Sequence, residues 1–551
     1  MNHRHAIVAV FTSVIILGSI LCVTAMGPAV MGTEPAEDEQ VIDGDAFWNH
    51  LNNITSISDA HEAYRVAGST GAEATAEYIE LSFNEIGLDT RSEGFMFTGW
   101  DLDEGSFLRI DEDGDPSTLD DIHPLASFMP EAFSWPRENG SAPLEMVVMP
   151  MPVASSYLAM RGASLPLDEW DELNTSGKIV IVAREMRWRG DWESHFVSKL
   201  QEQTPAGLIY VWYYDWMGFA EEMSFASSGG RPLGPNSGYL WDLGIPTGSL
   251  NTSDGKVLMA AAADGVSRLS MRVPSEIGTM AHRNLVAEVP GLDRDQSVLI
   301  TAHYDSVMCQ GAVDNGGGVA AMLQIASQTM EAVQSGALVP KYNLIFVAFA
   351  GEELGMVGSA HYVAAHSNEM EDYVAMINLD CIGSTQMCIT GTPASGSIDL
   401  DRLFLDQAKK DGVPLQITTS GGSDQDTFRS PLAVGGSINS YWDWDMDLSE
   451  VRALDQATMV YSLPLALTDG REGANPGYIH TTRDSFNDDI TWVEKASMVG
   501  QAQVVMGVVM ELSGDEGASG TSISTYIMIM AVVGLAAIGI WLVVKRRKGK
   551  I

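Results

Sequence analysis

The chain has 551 residues, more than the roughly 250–300 at which a single hydrophobic core stops growing, so we expect two or more domains. Hydrophobic residues make up 45% and aromatic residues 8% of the sequence, which excludes a globally disordered chain. With 31 Lys+Arg against 73 Asp+Glu, the net charge is −42. Nucleic-acid binding is therefore excluded as the main function, because phosphate backbones require positive partners.

The first 25 residues have the pattern of a secretory signal peptide. Arg4 precedes an apolar run over residues 6–23, and Val23-Thr24-Ala25 is small enough for signal peptidase. An uncleaved anchor is the alternative, since the run is near the lower limit of ~17 to 25 residues for crossing a bilayer. Residues 26–45 are predicted to be an acidic linker.

Residues 46–135 are predicted to be the N-terminal part of the main domain, which continues after residue 276. A helical pattern runs between residues 47 and 88, where Ile79 and Phe83 recur at helix spacing and Gly87 provides a stop. Residues 136–276 contain a series of short apolar runs typical of strands and are predicted to be an inserted β-rich module. Its predicted strands are Met146–Pro150, Lys178–Ala183, Gly207–Trp212 and Ile245–Leu250.

Residues 277–512 alternate apolar β-runs with helical runs. This alternation predicts an α/β fold with a mixed, mainly parallel sheet and helices on both faces. A helix is expected to begin near Val319.

The C-terminal residues predict attachment to a membrane. A Gly/Ser linker at 513–525 leads to an uncharged apolar run at 526–544, which is predicted to be a transmembrane helix. The basic tail 545–551 favours the cytoplasmic side. We therefore expect a single-pass protein of the cell membrane with its body outside the cell.

Cysteine is sparse in the part that follows the predicted signal. Cys309, Cys381 and Cys388 cannot all pair, so the sequence is not a disulfide scaffold. A bridge between Cys381 and Cys388 is conceivable in an oxidising compartment, and buried thiols are the alternative.

Polar residues follow several predicted strands at the point where each strand ends. In an open α/β sheet, the carboxyl ends of the strands form the ligand site. Imidazoles with carboxylates suit zinc, and an aspartate that uses both oxygens allows two ions ~3.5–4 Å apart. The predicted metal ligands are His303, Asp314, Glu353, Asp380 and His480, with Glu352 and Asp305 beside them. A glutamate that reaches a bound water in such a site indicates a hydrolase.

These residues stand in motifs that resemble the M28 family of zinc peptidases. The motifs are His303-Tyr304-Asp305, Asp314-Asn315-Gly316, Glu352-Glu353-Leu354-Gly355, Asn378-Leu379-Asp380 and His480. The resemblance extends from about residue 47 to residue 511 and implies a zinc-exopeptidase fold with two zinc ions.

The resemblance also implies a role for each residue. His303 and Asp380 would bind one zinc, Glu353 and His480 the other, and Asp314 would bridge both. Glu352 would be the general base for a metal-bound water, and Asp305 would orient His303. Separately, motifs such as Ser176-Gly177-Lys178-Ile179-Val180 and Gly244-Ile245-Pro246 make the inserted module resemble a protease-associated domain.

The sequence departs from the family pattern at two places. Ser423-Asp424 is followed by Gln425, where many members have histidine. Some members place tyrosine directly before the final histidine, to support the oxyanion, whereas here that neighbour is Ile479 and Tyr478 lies one residue further back.

Three functions agree with these observations. The first is an outward-facing aminopeptidase that acts on peptide substrates, because a negative cleft attracts a free amino terminus. The second is a carboxypeptidase or glutaminyl cyclase on the same fold; for the former, Arg429 or Arg483 would receive the carboxylate. The third is a non-catalytic surface receptor. The sequence has neither an H-E-x-x-H helix nor a G-x-S-x-G elbow, which removes the corresponding zinc and serine hydrolases. It does not predict the oligomeric state.

Overall fold

A computed structural model describes most of the chain from residue 41 to residue 514. The described residues are 41–61, 63–112, 122–131, 134–137, 142–150, 163–183, 198–211, 244–383, 386–393, 398–419, 422–442, 447–463, 478–486 and 493–514. All elements named below lie within the unit Ile42–Ile551.

The largest sheet has eight strands in the order β1-β10-β12-β11-β13-β16-β14-β15. Their bounds are β1 Thr90–Leu102, β10 Ser275–Val289, β11 Asp293–His303, β12 Tyr342–Phe349, β13 Tyr373–Leu379, β14 Gln386–Thr390, β15 Leu415–Thr418 and β16 Ala457–Leu463. Strands β12, β11, β13 and β16 are mutually parallel, and β14 pairs with β15 in parallel. The remaining pairings are antiparallel. The predicted mixed, mainly parallel sheet is confirmed.

Helices cover both faces of this sheet. The alternation of side chains along β11 shows this, since Val298 and Ile300 pack into one apolar cluster and Leu299 into another. Helix α5 (Gly318–Ser335) packs on the first face, with α1 (Gly44–Ala60) and α2 (Thr70–Ile86) beside it. The α-helices that follow α5 in the described part of the chain are α6 Val357–Ala365, α7 Leu400–Asp411, α8 Gln425–Arg429, α9 Pro431–Trp442 and α10 Lys495–Ser513.

The helical pattern between residues 47 and 88 forms two helices instead of one. Helix α1 ends at Ala60, and the buried segment Tyr64–Ala67 interrupts the helix. Ser69 then caps α2 by accepting the N–H of Ala72, and Gly87 ends it in the left-handed conformation (φ 93°).

Two smaller sheets lie between β1 and β10 in the sequence. Strands β2 (Phe107–Asp111), β3 (Ile122–Pro124) and β9 (Arg268–Arg272) form an antiparallel sheet in the order β3-β2-β9. The other sheet, in the order β4-β8-β7-β6-β5, contains β4 Met129–Pro130, β5 Met146–Val148, β6 Ile179–Ala183, β7 Gly207–Val211 and β8 Thr247–Leu250. Helices α3 (Leu167–Glu172) and α4 (Thr252–Asp264) belong to the same stretch.

The chain enters and leaves this stretch at one place. Strands β1 and β10 pair from Thr90 opposite Ala287 to Leu102 opposite Ser275, so residues 103 and 274 lie side by side. The stretch is therefore an insertion between two neighbouring strands of the large sheet.

The predicted signal (1–25) and transmembrane helix (526–544) lie outside the described residues. Within the described part of the chain, every helix is too short or too polar to cross a bilayer. Cys309, Cys381 and Cys388 are buried and form no disulfide, which confirms buried thiols and contradicts a bridge between Cys381 and Cys388. A thiol pair that packs in a core gains nothing from oxidation unless its geometry suits a disulfide.

Candidate metal centre

The carboxyl ends of three parallel strands bring the predicted residues to one edge of the sheet. His303 is the last residue of β11 and lies opposite Phe349, the last residue of β12. Glu352 and Glu353 follow β12 within four residues, and Asp380 directly follows β13. The strands are long apolar runs that bury both faces, so the polar side chains are excluded from the strands and collect where these end.

Asp314 lies in a tight turn, Ala312–Gly317, just before α5. Glycine is required where the turn meets the helix, because a Cβ on Gly318 would stand 2.2 Å from Asn315 Oδ1 and 2.4 Å from the carbonyl oxygen of Leu379. Asn315 fixes the turn to the end of β13 by donating to that same carbonyl at 2.8 Å. The glycine-rich bend therefore holds Asp314 close to Asp380.

The first cluster consists of His303, Asp314 and Asp380. The Nε2 atom of His303 lies 3.2 Å from Oδ1 of Asp314 and 3.4 Å from Oδ1 of Asp380. All three residues are buried. His303 is fully enclosed, so its imidazole is held in one place.

The second cluster uses the other oxygen of the same aspartate. The Nε2 atom of His480 lies 3.2 Å from Oδ2 of Asp314 and 3.2 Å from Oε2 of Glu353. The His480 side chain is 32% exposed. Asp314 thus belongs to both clusters through different oxygens, and the structure brings all five predicted ligands together.

The donor set fits zinc. Ligand atoms bonded at ~2.0–2.2 Å to a tetrahedral ion lie about 3.3–3.6 Å apart, close to the separations in both clusters. Nε2 of His303, Oε1 of Glu353 and Oδ1 of Asp380 are buried without a hydrogen-bond partner. Buried polar atoms are costly unless something satisfies them. An ion in the first cluster would be a partner for His303 and Asp380, and an ion in the second would be a partner for Glu353.

The electrostatics of the clusters also favour bound cations. Burial alone would lower the pKa of His303, but the neighbouring carboxylates, chiefly Asp380, raise it well above the usual value. His480 behaves alike: burial opposes the effect of Glu353 and Asp314, and its pKa is raised. Burial, with Asp314, raises the pKa of the Glu353 carboxyl. The negative charge of the carboxylates therefore dominates both clusters, and this favours the binding of cations.

Asp305 lies beside His303 and also accepts hydrogen bonds from the backbone of both glutamates. Its Oδ1 lies 3.4 Å from Nδ1 of His303. The carboxylate also accepts the backbone N–H of Glu352 at 3.1 Å and that of Glu353 at 3.2 Å. Asp305 is completely buried and connects the ends of β11 and β12.

Glu352 is half-buried beside the clusters. Burial raises the pKa of its carboxyl well above the usual value; Asp380, Glu353 and Asp424 add to the increase, while His303 opposes it. A carboxyl group whose proton affinity is raised in this way suits a general base, which has to take up and release a proton.

Two buried residues support the turn that carries Asp314, and sequence reasoning did not assign either of them. Asp484 accepts the N–H groups of Val313 at 2.7 Å and of Asp314 at 3.1 Å. Arg65 donates to the carbonyl oxygens of Gln310 and, at 3.1 Å, of Gly311. Arg65 could have been identified as a lone charge within the apolar segment Tyr64–Ala67. Asp484 could have been identified by its position four residues after His480 in a polar turn.

The residues at the two departures from the family pattern are buried or partly buried. Gln425 is buried and accepts a hydrogen bond from Asn378 at 3.2 Å. Tyr478 and Ile479 are both partly buried against the main core. Asp424, next to Gln425, is buried without a hydrogen-bond partner for either oxygen, and burial raises its pKa to about 7.

The two arginines considered as carboxylate receptors lie in other contacts. Arg429 donates to the carbonyl oxygen of Gly391 at 3.1 Å. The guanidinium of Arg483 lies 5.6 Å from the centre of the Tyr478 ring. Among the remaining histidines, His361 stacks on Phe95 with ring centroids 4.6 Å apart.

Residues 284–499 match the model of peptidase family M28. Over 456 residues the chain is 26% identical to a probable lipoprotein aminopeptidase of Mycobacterium tuberculosis, covering 79% of this chain and 82% of the relative. Leucine aminopeptidase 2 of Trichophyton rubrum is 25% identical over 447 residues, covering 76% of this chain and 80% of the relative.

The fold resembles that of a solved structure, a zinc aminopeptidase from Bacillus subtilis. The two superpose with a TM-score of 0.57 over 87% of this chain and 97% of the other, at 18% sequence identity. At this identity the likeness concerns the fold.

Proposed function

We propose that this chain, which contains a peptidase domain of family M28, is a two-zinc aminopeptidase. The observation that carries the proposal is the division of Asp314 between two clusters, with Oδ1 beside His303 and Oδ2 beside His480. His303 and Asp380 would hold one ion, and Glu353 and His480 the other. Bound zinc supplies Lewis acidity to a peptide carbonyl and to the attacking water.

The protein residues then supply proton transfer and orientation. Glu352 takes the proton of the attacking water and delivers it to the leaving amine, so no covalent intermediate with the protein forms. Asp305 holds the His303 ring and the backbone of Glu352 and Glu353 in place. Because a base must be correctly placed as well as correctly charged, these contacts are part of the mechanism.

The choice of an amino terminus follows from charge. The site contains the carboxyl groups of Glu352, Glu353 and Asp380. Without the six cations at the two ends, the chain has 25 cations against 73 anions, a net charge of −48. An ammonium group is attracted to this field, whereas a terminal carboxylate would enter it at a cost. The aminopeptidase names of the relatives support the same choice.

The membrane topology and the inserted module belong to the same proposal. The apolar run 526–544 and the basic tail would anchor the chain, with the catalytic body outside the cell. The inserted five-stranded sheet, parallel from β5 to β8, supports a protease-associated module. Membrane fractionation and protease accessibility of intact cells test the topology.

Blocking the ends of one peptide tests the specificity. The purified full-length protein should cleave a peptide with a free amino terminus and an amidated carboxyl end as well as the unblocked peptide. N-acetylation of the same peptide should abolish cleavage. The reverse pattern would indicate a carboxypeptidase, and cyclisation of an N-terminal glutamine without hydrolysis would indicate a glutaminyl cyclase. If the protein converts none of these peptides, a non-catalytic receptor would be indicated.

A further inference from the structure

Asp484 connects the turn that carries His480 to the turn that carries Asp314. Its Oδ1 accepts the N–H of Val313 at 2.7 Å, and its Oδ2 accepts the N–H of Asp314 at 3.1 Å. Its backbone oxygen accepts the N–H of Ala312 at 3.3 Å. Three successive amides of the Asp314 turn therefore end on one residue that is completely buried.

Asp484 is itself fixed to the turn of His480. Its N–H donates to the carbonyl oxygen of Thr481 at 3.0 Å, and the Thr481 hydroxyl donates to the carbonyl oxygen of Tyr478 at 2.7 Å. His480 lies inside this turn and has a left-handed backbone (φ 58°), a conformation that needs support in a residue with a Cβ.

The opposite side of the Asp314 turn is held by a buried cation. Arg65 donates to the carbonyl oxygens of Gln310, Gly311 and Tyr304. Asp484 therefore holds the N–H groups of this loop while Arg65 holds its carbonyl groups. Both oxygens of Asp484 accept amides, and Asp484 belongs to neither ligand cluster, so we treat it as a support of the metal site and not as a ligand.

We infer that Asp484 is a positioning residue that sets the distance between the bridging carboxylate of Asp314 and the imidazole of His480. The inference rests on the proposed two-zinc function. A carboxylate is needed, because both of its oxygens accept amides. Asparagine would keep one acceptor and turn its NH₂ group towards the other N–H, which pushes the Asp314 turn away.

Zinc affinity of the full-length protein tests the inference, measured by competition with a chromophoric chelator. Asp484→Asn should weaken zinc binding by about 10- to 100-fold, the usual cost of losing a residue that orients a metal ligand, and Asp484→Ala should weaken it further. In Asp484→Asn, excess zinc should restore kcat and leave KM close to that of the wild type. Should Asp484→Ala not fold, the near-isosteric Asp484→Asn carries the test alone.

Asp264→Asn is the matched control, because Asp264 also accepts two backbone amides, those of Val266 at 2.7 Å and Ser267 at 2.8 Å, but belongs to the inserted stretch. It should keep wild-type zinc affinity. Wild-type affinity in Asp484→Asn, or an equal loss in both variants, would overturn the inference. A wild-type protein that binds two zinc ions and cleaves no peptide would instead contradict the proposed function, since the affinity comparison needs no turnover.

Discussion

The carboxylate of Asp305 lies beside the imidazole of His303, with Oδ1 3.4 Å from Nδ1. The same carboxylate accepts the N–H groups of the two glutamates that follow β12. One buried side chain thus lies against a proposed metal ligand from one strand and holds the backbone of the proposed base that follows the next.

The first prediction concerns this double contact. Asp305→Asn keeps the shape of the side chain but replaces one acceptor oxygen with a donor. We expect zinc affinity or kcat to fall by about 10- to 100-fold, as for other residues that orient metal ligands. Chelator competition and steady-state kinetics measure the two quantities; wild-type values for both would remove Asp305 from the site.

The second prediction separates proton transfer from metal binding. Glu352→Gln should retain its zinc, because Glu352 belongs to neither ligand cluster. Its turnover should fall by about 10²- to 10⁴-fold, the usual contribution of a positioned acid or base. Metal analysis and kcat are measured on the same sample. A variant that still turns over peptides normally would show that another group takes the proton.

The third prediction concerns the bend before α5. A Cβ at Gly318 would collide with Asn315 Oδ1 and the Leu379 carbonyl, so Gly318→Ala should lower the free energy of unfolding by about 1–3 kcal/mol. It should also lower zinc affinity, since this bend carries Asp314. Thermal or denaturant unfolding measures the first effect.

Gly436→Ala is the control for this substitution. Gly436 lies within helix α9, and a Cβ there would meet nothing within 4 Å. Alanine should therefore be neutral or stabilise by up to about 1 kcal/mol. Equal behaviour of the two alanine variants would contradict the close packing at Gly318.

The fourth prediction concerns pH and a histidine outside the metal site. The bond from His366 to Glu93 raises the pKa of His366; burial opposes this, and Glu369 adds to it. The Nε2 atom lies 3.1 Å from Glu93, and Nδ1 lies 3.0 Å from Glu369. The pKa of His366 is therefore higher in the folded state than in the unfolded state, where it is ~6.5. The resulting stabilisation is fully present below the unfolded-state pKa and is lost as the pH rises through the folded-state pKa.

His366→Gln removes the titrating group and tests this sign. The wild type should be more stable than the variant at about pH 5 to 6, and the difference should shrink as the pH rises towards about 9. Melting temperatures across this range provide the measurement. A difference that grows with pH would show that the ion pairs do not stabilise the folded state.

Much of the site could be predicted because its signals are local. Apolar runs such as residues 342–349 identify buried strands, and the polar residue after each run marks the edge where the strands end. The positions of His303, Glu353 and Asp380 follow from this pattern. His480 was predicted as a histidine in a polar turn, and the family resemblance assigned it to the second zinc.

The supporting contacts could not be predicted because they join distant parts of the chain. Asp484 and Val313 are 171 positions apart, and nothing near either residue indicates the other. The break between α1 and α2 was missed for a related reason. Its segment Tyr64–Ala67 is apolar except for Arg65. The segment is buried, and Arg65 donates to the carbonyl oxygen of Tyr304, which is distant in the sequence.

Metal analysis of the wild type and one variant tests the two-zinc centre most directly. The purified full-length protein should contain two zinc ions per chain. His361→Ala, which alters a ring that stacks on Phe95 and belongs to neither cluster, should contain the same number. Asp314→Ala should lose most of both, because Asp314 is the one residue shared by the two clusters. A wild type without zinc, or an Asp314→Ala protein that keeps both ions, would contradict the account.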